Sequence, residues 1–529
     1  MNLRVLSSTV ALGLILAAVP AVYAQDNPGG GGASRVPYQD QLSGNVPLDS
    51  YVYDYLDKLD GLGYLRQMQT GTKPYTRMQV AGWVVQMDRL AAQKQEMAPY
   101  AKSLLRELKT EFKNELAVLN GTARPGGLAL REIQFEENFY HGGTVSQKPW
   151  TKSTYQPLNV NNDGYKYGRN ANEMLSLRLE GSLGEHLMLS VTPRTDYNST
   201  DDSKTTVESG YIKTNINNLS IQIGKDANSW GQGVRSHLTY SNNAEPMTSI
   251  RLSNIEPMKI KHGYFKFLRE SNTTFTYARM EGNRSDVPHP SFVAWRKDFT
   301  PSDNFTFALE HASIIGGLGH ALSGSDYYRL LTGRNAGNCS SPNTIDEWNT
   351  QAGGDFRWRL PHLNGIQVYG EFYGEDRHRY ILYYPYRFAE IMGVYIPRLT
   401  RDGSWDATLE VHHTDPCWYM HGTYTDGWVF KGNIIGDAIG NHAKSYYAKV
   451  THYQDNGSQL SFNLEQVKME YESPESQKFN SAWANYRTKL DQDMFMDLTA
   501  GVSHIDNFNF LSGENKRNYK VGLGITKRY

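Results

Sequence analysis

Polar and apolar positions alternate strictly over the last eleven residues of the chain. Tyr519, Val521, Leu523 and Ile525 form one series, and small, polar or charged residues stand between them. Because successive side chains of a strand point to opposite faces, the segment predicts a strand with one apolar face. The last residue is the aromatic Tyr529. This pattern is typical of the closing strand of an outer-membrane β-barrel, although the edge of a sandwich would have the same local pattern.

The same alternation recurs from about residue 130 to residue 529. Examples are Leu175/Leu177/Leu179, Leu219/Ile221/Ile223, Phe305/Phe307/Leu309, Ala484/Tyr486/Thr488 and Met494/Met496/Leu498. Residues 130–529 exceed one ordinary sandwich, and at about 20 to 24 residues per strand and connection they hold roughly 16 to 18 strands. Several sandwiches or a propeller are the alternatives, but the sequence has no clear repeat of about 40 to 50 residues. We predict a mainly β fold, a large antiparallel transmembrane β-barrel.

Residues 47–125 follow a helical period instead. The apolar stripes are Leu48, Val52, Tyr55, Leu56 and Leu59; Val80, Trp83, Val84, Met87 and Leu90; and Leu104, Leu108, Phe112 and Leu119. Thr76, with Gln79 three residues later, predicts the start of the second helix, and the third helix is expected to run from about Ala101 to the turn at Asn120-Gly121. We predict a small N-terminal α-helical bundle on the periplasmic side, a packed cap without chemistry of its own.

The first 24 residues have the layout of a secretory signal peptide. Arg4 supplies the positive start, residues 10–19 the apolar run, and Val22-Tyr23-Ala24 a small-x-small cleavage site. The apolar run is too short to cross a membrane as a helix, and an uncleaved anchor is the alternative. Residues 25–46 include four consecutive glycines and are expected to form a flexible leader. The sequence therefore predicts an exported protein.

Composition narrows the class of function. The mean hydropathy of −0.59 resembles that of a soluble protein, but only every second strand residue of a barrel faces lipid. The chain has 35 Tyr and 10 Trp, which suit interfacial girdles or sugar-stacking surfaces. Its 54 basic and 55 acidic residues nearly cancel, so the chain lacks the excess of positive charge that is typical of nucleic-acid binding. Cys339 and Cys417 could form a disulfide after export, although their sequence positions do not show whether they are close.

Residues 224–254 carry an unusual combination of short motifs. These are Gly224-Lys225-Asp226, Trp230-Gly231-Gln232-Gly233 and Ser241-Asn242-Asn243-Ala244-Glu245-Pro246, followed downstream by Gly354-Asp355-Phe356-Arg357, Tyr369-Gly370-Glu371 and Gly374-Glu375-Asp376. Together they resemble the Wzi capsule-assembly family. Lys225 replaces the usual Arg, and Gln232 stands where Pro is common, which leaves the fine geometry of that loop open. The resemblance covers most of residues 47–529.

The resemblance implies an 18-stranded outer-membrane barrel with an N-terminal helical bundle. It further implies a surface lectin, not an enzyme, that binds capsular or extracellular polysaccharide and retains it at the cell surface for capsule assembly. The expected partners are that polysaccharide, the lipid of the outer membrane and the polysaccharide export machinery. We expect no cofactor, no metal and no nucleic acid. The identity of the polymer does not follow from the resemblance.

A polysaccharide site needs aromatic faces for the C–H patches of a sugar, with amides, carboxylates and arginines for its hydroxyl or acidic groups. The candidate ligand-binding residues are Asp226, Trp230, Asn242, Asn243, Arg357, Glu371, Glu375, Asp376, Tyr383, Tyr384, Tyr386 and Arg387. The tyrosines of residues 383–387 could equally belong to a membrane-interface girdle. The glycines beside Trp230 indicate a backbone role there at least as strongly.

Other functions have weaker support in the sequence. Glu371, Glu375 and Asp376 form the best carboxylate cluster for glycoside hydrolysis, but neighbouring arginines explain the cluster without catalysis. His412 and His413 are adjacent on a predicted strand and point to opposite faces, which disfavours a shared metal ion. The chain has neither a Gly-x-Ser-x-Gly elbow nor a Walker-type phosphate loop. A pore for sugars or oligosaccharides is the main alternative, and a glycan- or lipid-modifying barrel enzyme is less favoured.

Overall fold

A closed barrel of antiparallel strands forms most of the molecule. The computed structural model describes residues 37–38, 40–66, 68–93, 97–147, 151–184, 186–198, 203–331, 347–375 and 388–529. In this part of the chain, eighteen long strands form the barrel, with the two-residue strand Met258–Lys259 added at one edge. The predicted fold class is confirmed.

The strands occupy the chain in order. They are β1 Ala129–His141, β2 Asn170–Leu183, β3 Leu187–Asn198, β4 Lys204–Ile216, β5 Leu219–Lys225, β6 Thr248–Asn254, β7 Glu270–Arg279, β8 Ser291–Ser302, β9 Phe305–Ile315, β10 Trp348–Leu360, β11 Ile366–Glu375, β12 Phe388–Ile396, β13 Trp405–Thr414, β14 Ala443–Tyr453, β15 Gln459–Met469, β16 Gln477–Asp491, β17 Met494–Asp506 and β18 Lys516–Arg528. Each pairs with its neighbours in sequence, and β1 closes the barrel against β18, with Phe139 opposite Val521.

The alternation of each strand separates a lipid-facing wall from a polar lumen. On β18, Tyr519 is 43% exposed and Val521 59% exposed on the outside, whereas the ammonium of Lys520 lies 4.8 Å from the centroid of the Tyr167 ring inside. Leu464 and Leu409 extend the same apolar exterior on other strands. An apolar outside around a polar inside is the arrangement of an outer-membrane barrel.

The two ends of the barrel differ in the length of their connections. At one end the strands are joined by tight turns, such as 217–218, 303–304 and 492–493, and β1 begins and β18 ends there. At the other end the connections are long, including 142–169, 226–247 and 415–442. Short turns face the periplasm in barrels of this type, so the long loops form the outer end.

Four helices pack at the short-turn end. They are α1 Val52–Gly61, α2 Arg77–Gln93, α3 Pro99–Glu111 and α4 Lys113–Leu119; a fifth, α5 Gly324–Leu331, lies in an outer loop. The amide of Gln79 donates to Thr76 Oγ1 at 3.1 Å, which caps α2 as the spacing predicted. The expected third helix is divided at Phe112, whose φ of −100° and ψ of 22° leave the helical range. Periodicity could not show this break, because Phe112 keeps the apolar spacing on both sides.

The helices close the periplasmic mouth of the barrel by binding its turns. Tyr55 Oη donates to the Gly457 carbonyl at 3.0 Å, and Ser103 Oγ donates to the Asp455 carbonyl at 2.6 Å. On β16, the Lys489 ammonium pairs with Glu107 of α3 at 2.9 Å. None of the helices in the described ranges has the length and apolar character that a membrane crossing requires.

The segment before α1 enters the lumen. Leu42 and Val46 are buried, and Asn45 Nδ2 donates to Asp226 at 2.6 Å and to Gln222 at 2.9 Å. Folded structure therefore begins inside the range predicted as a flexible leader, because these side chains bind the barrel wall. The predicted signal peptide, residues 1–24, lies outside the described residues.

Candidate functional site

The lumen is occupied from both ends. Residues 226–247, here called the plug loop, fold inward from the outer end between β5 and β6. Within this loop Ser229–Trp230 pairs in antiparallel register with Thr72–Lys73, which reaches up from the helical end. The Gly231 amide adds a hydrogen bond of 2.8 Å to the Gly71 carbonyl. Gly231 has a φ of +135°, and a Cβ there would overlap the Glu371 carboxylate, so this contact requires glycine.

Two carboxylates of the wall hold the plug loop by its backbone. Glu371 on β11 accepts from the amides of Gly233 at 2.8 Å and Leu238 at 3.1 Å, and lies 2.9 Å from His237 Nδ1. Glu410 on β13 accepts from the amides of Val234 and Arg235. Both glutamates are buried. A buried carboxylate that accepts several backbone donors is well satisfied, so these contacts fix the loop in one position.

Gln232 explains the departure from the family motif. Its Nε2 donates to Asp355 Oδ1 at 2.8 Å, and its Oε1 accepts from Thr70 Oγ1 at 2.5 Å and from Arg357 Nε at 3.2 Å. Arg357 Nη2 also donates to the Gln232 carbonyl at 2.9 Å. Proline could make none of these side-chain contacts. Gln232 therefore joins the plug loop, the N-terminal segment and the wall.

A buried arginine lies beneath the same loop. Arg296 is fully buried and pairs with Asp298 at 3.1 Å, Glu310 at 3.0 Å and Asp355. The Thr239 hydroxyl of the plug loop donates to Glu310. Buried charges of this kind are stable only when each is paired and hydrogen-bonded. The network ties three neighbouring strands, β8, β9 and β10, to the plug loop.

A second outer loop, residues 415–442, packs on the plug loop. The amide of Tyr419 donates to Glu375 Oε2 at 2.8 Å, and the Tyr419 hydroxyl donates to the Leu238 carbonyl at 2.5 Å. Trp428 Nε1 donates to the Thr239 carbonyl at 2.8 Å. These aromatic side chains share one core cluster with Trp230, which is fully buried. The outer half of the lumen is thus a packed core.

The described candidate residues fall into two groups. Trp230, Asn243, Glu371 and Glu375 are buried in plug contacts, with Asn243 Nδ2 donating to the Ile434 carbonyl at 2.9 Å. Asp226, Asn242 and Arg357 line cavities of the lumen, and Arg357 also holds Gln232 of the plug loop. Asp376, Tyr383, Tyr384, Tyr386 and Arg387 lie outside the described residues, as does Cys339, so the Cys339–Cys417 pairing stays a prediction.

The larger cavity has the chemistry of a carbohydrate pocket. It has a volume of about 560 Å³ between α1, the plug loop and the wall of β14 to β17, and Asn242 and Arg357 both line it. Tyr447 and Trp483 stack there with ring centroids 6.0 Å apart. Arg235 lies 5.1 Å from the Trp483 centroid and pairs with Glu465 through two hydrogen bonds of 2.8 Å. Aromatic rings beside planar hydrogen-bonding groups suit a sugar.

Charge in the lumen is unevenly distributed. Burial lowers the pKa of Lys73, whose ammonium lies in the larger cavity 5.1 Å from the Tyr53 centroid. A neighbouring cavity of about 210 Å³ is lined by Asp49, Asp163 and Glu208. Burial, followed by the charges of Glu208 and Asp49, raises the pKa of Asp163 to about 8. The smaller cavity therefore favours protonated acids or bound cationic groups over additional anions.

Sequence reasoning missed most of the groups that hold the plug. Arg235, Arg296, Glu310, Glu410 and Glu465 were not among the candidates. For Arg296, Glu310, Glu410 and Glu465 the available signal was a position on the polar face of a strand, whereas Arg235 lies in the plug loop, outside that pattern. In the described parts of the chain no group of three metal-ligating side chains occurs, and His412 lies between Asp437 at 2.6 Å and Glu410 at 3.2 Å.

Fold and lumen together define an outer-membrane barrel that is closed by helices below and by inward-folded loops above. The model of the family "Capsule assembly protein Wzi" matches residues 142–520. The chain belongs to this family. It is therefore an outer-membrane protein, as the apolar exterior also indicates.

A solved structure shows the same fold. Wzi of Escherichia coli, described as an outer membrane protein involved in group 1 capsule assembly and a carbohydrate-binding β-barrel, matches with a TM-score of 0.67 at 15% identity over 92% of this chain and 100% of that chain. OprD of Pseudomonas aeruginosa has a TM-score of 0.44 at 10% identity over 77% of this chain and 96% of its own. Acinetobacter baumannii OccAB2 has 0.45 at 8% identity over 76% and 98%. Among curated proteins the comparison finds no match.

Proposed function

We propose that this protein is a surface lectin that binds capsular or extracellular polysaccharide and retains it at the outer membrane. Its family and its likeness to a carbohydrate-binding barrel support this function. The observation that carries it is the plugged lumen. Loops and the N-terminal segment fill the barrel through hydrogen bonds to buried wall carboxylates, as with Thr72 Oγ1, which donates to Asp298 at 2.7 Å. A polymer chain would therefore bind at the outer end and would not thread through the barrel.

Retention of a polymer does not require one strong site. Weak sugar contacts on many copies of the protein would act along the same chain, and their combined strength would hold it firmly. We assign the polymer contacts to the outer end of the barrel and to the sequence candidates Tyr383, Tyr384, Tyr386 and Arg387. The larger lumen cavity, with Tyr447 and Trp483, is the alternative position for a sugar or a chain end. The polysaccharide export machinery is a proposed partner at the same face.

We propose binding without turnover. Of the predicted carboxylate cluster, Glu371 accepts two backbone amides, and Glu375 accepts the amide of Tyr419. A glycosidase needs one carboxyl group that can protonate a leaving oxygen and another that faces the sugar. The hydrogen bonds of Glu371 and Glu375 to the inward-folded loops favour a structural role over that chemistry.

A pore for small sugars is the second candidate, because the lumen contains polar cavities. The larger one presents Arg357, Lys449, Arg487 and Asp497 to its interior. Passage would require the plug loop to leave its wall contacts. We therefore rank the pore below the lectin.

The test is binding of the purified protein, in detergent, to polysaccharide extracted from its own host. We expect saturable binding that Tyr384→Ala and Arg387→Ala weaken at least several-fold. Tyr446→Ala, which removes a lipid-facing ring that is 52% exposed, is the matched control and should bind normally. If Trp483→Ala were the one variant that lost binding, the sugar site would be assigned to the lumen cavity. An absence of binding in the unchanged protein would overturn the proposed function.

A further inference from the structure

The turn between β6 and β7 exposes three aromatic rings in four residues. Residues 258–269, here called the basic aromatic turn, contain a short 3-10 helix at Tyr264–Leu268. In this helix Tyr264 is 96% exposed, Phe265 66% and Phe267 62%. Adjacent exposed rings are unfavourable in water and mark a surface that contacts something apolar.

The basic aromatic turn lies at the periplasmic rim, on the outside of the barrel wall. It joins β6 to β7 at the short-turn end, where the other connections have two to eight residues in the described chain. The 3-10 helix packs against β8. On that strand Arg296 and Asp298 face the lumen, so Phe299 faces outward, yet Phe299 is only 8% exposed. We infer that the turn covers Phe299 from the lipid side.

The surface beside the turn is a row of outward-facing phenylalanines. Phe299 stacks on Phe307 with centroids 5.0 Å apart, and Phe305 lies 6.0 Å from Phe307. Phe356 and Phe372 continue the row at 6.4 Å. Aromatic rings of this kind form the girdle at the edge of the hydrocarbon layer. The exposed rings of the turn are thus continuous with a surface that already contacts lipid.

The same turn carries an excess of positive charge. Lys259, Lys261 and Lys266 are exposed, and among the described residues none of them lies within 4.0 Å of a carboxylate. Arg269 pairs with Asp303 at 2.9 Å. Glu270 stands opposite Lys259 in the strand register, and Glu256, two residues before the turn, accepts from Gln41 Nε2 at 2.8 Å. Three lysines are therefore left to bind anions beside the rings.

We propose that the basic aromatic turn anchors the barrel in the periplasmic leaflet of the outer membrane. Its rings enter the boundary between headgroups and acyl chains, and its lysines bind the phosphates of anionic phospholipids. Aromatic rings at this depth with lysines at the phosphate level are the arrangement that interfacial segments use. Continuity with the lipid-facing row favours lipid over a soluble protein as the occupant.

The test places a fluorescent probe on the turn of the full-length protein in nanodiscs. Phe265→Cys is labelled with an environment-sensitive dye, and Asn120→Cys, exposed at the end of α4, is the matched control. The unchanged protein gives the background of its own two cysteines. Quenching by a spin label at the headgroup end of the lipid chain is measured in phosphatidylcholine alone and in a mixture with phosphatidylglycerol.

We expect quenching at residue 265 several-fold stronger than at residue 120, and stronger still with phosphatidylglycerol. Lys259→Gln, Lys261→Gln and Lys266→Gln together should abolish the added effect of the anionic lipid. Quenching at residue 265 by aqueous iodide but not by lipid would overturn the proposal. Protection of this dye from iodide that appears only when a periplasmic extract is added would also overturn it, because the occupant would then be a protein. Equal quenching in both lipids would refute the phosphate contacts.

Discussion

Glu371 shows at the scale of one residue how the lumen is closed. Its carboxylate accepts two amides of the plug loop and contacts His237. Glu371→Gln keeps the shape of the side chain but replaces one acceptor by a donor, which would face an amide. We expect the free energy of unfolding to fall by about 1 to 3 kcal/mol. The midpoint of urea unfolding, followed by the gel shift between folded and unfolded barrel, measures it.

Glu472→Gln is the control for this substitution, since the side chain is 69% exposed at an outer loop. Its unfolding midpoint should match that of the unchanged protein. An equal midpoint for Glu371→Gln would show that the carboxylate does not hold the loop.

Glu111 of α3 makes the stability of the protein depend on acid. Burial alone would raise the pKa of Glu111, but Arg528 and Arg77 outweigh burial and lower it from 4.5 to about 2. The unfolded chain therefore binds the proton first as pH falls. The stabilisation, up to about 3 kcal/mol, is complete above pH 4.5 and is lost between pH 4.5 and 2. In Glu111→Gln the unfolding midpoint should therefore change less with pH across that window. An unchanged acid dependence in Glu111→Gln would contradict the assignment.

Glu371 could be selected as a candidate from the sequence alone, but its hydrogen-bond partners could not. The residue stands on the polar face of a predicted strand, which places it in the lumen, as found. Its partners are more than 130 residues away along the chain, in a loop whose apolar residues resemble those of any buried segment. Contacts of that kind depend on how the closed barrel brings loops together. Trp230 was a candidate for ligand binding or for a role in shaping the lumen, and the structure buries it in the plug.

At the scale of elements, the helical bundle depends on its own apolar core. Leu108 of α3 is fully buried in the cluster that also contains Leu56 and Leu59. Leu108→Ala should destabilise the bundle by about 2 to 5 kcal/mol while the barrel stays folded. Hydrogen exchange of the amides of α1 to α3 measures this, and Leu119→Ala, only partly buried, is the control with a smaller effect. Protection of α3 equal to that in the unchanged protein would contradict the packing.

Elements were easier to predict than their connections. The period of two in strands such as β18, and the cap at Thr76, depend on neighbours in sequence, so local chemistry decides them. The break at Phe112 and the inward course of residues 226–247 depend on distant partners. Gln232 is an example. Its contacts with Thr70, Asp355 and Arg357 explain why glutamine stands where proline is common, but the sequence does not show those contacts.

As a whole molecule, the plugged barrel should conduct poorly. The plug loop fills the lumen from the outer end, where it meets residues 72–73, and the helical bundle closes the periplasmic mouth. In planar bilayers the unchanged protein should pass almost no current. The double substitution Glu371→Ala with Glu410→Ala removes the wall carboxylates that accept the amides of the plug loop. It should produce frequent openings, and Glu472→Ala should not. Steady conductance of the unchanged protein would favour the sugar pore.

The most direct test of the central claim compares cells of the host with and without this protein. Polysaccharide is measured separately in the washed cell pellet and in the medium. We expect that loss of the protein moves polymer from the pellet to the medium while the total stays constant, because synthesis and export continue without retention. A constant distribution between pellet and medium, or a fall in the total with no release, would contradict a role in holding polysaccharide at the surface.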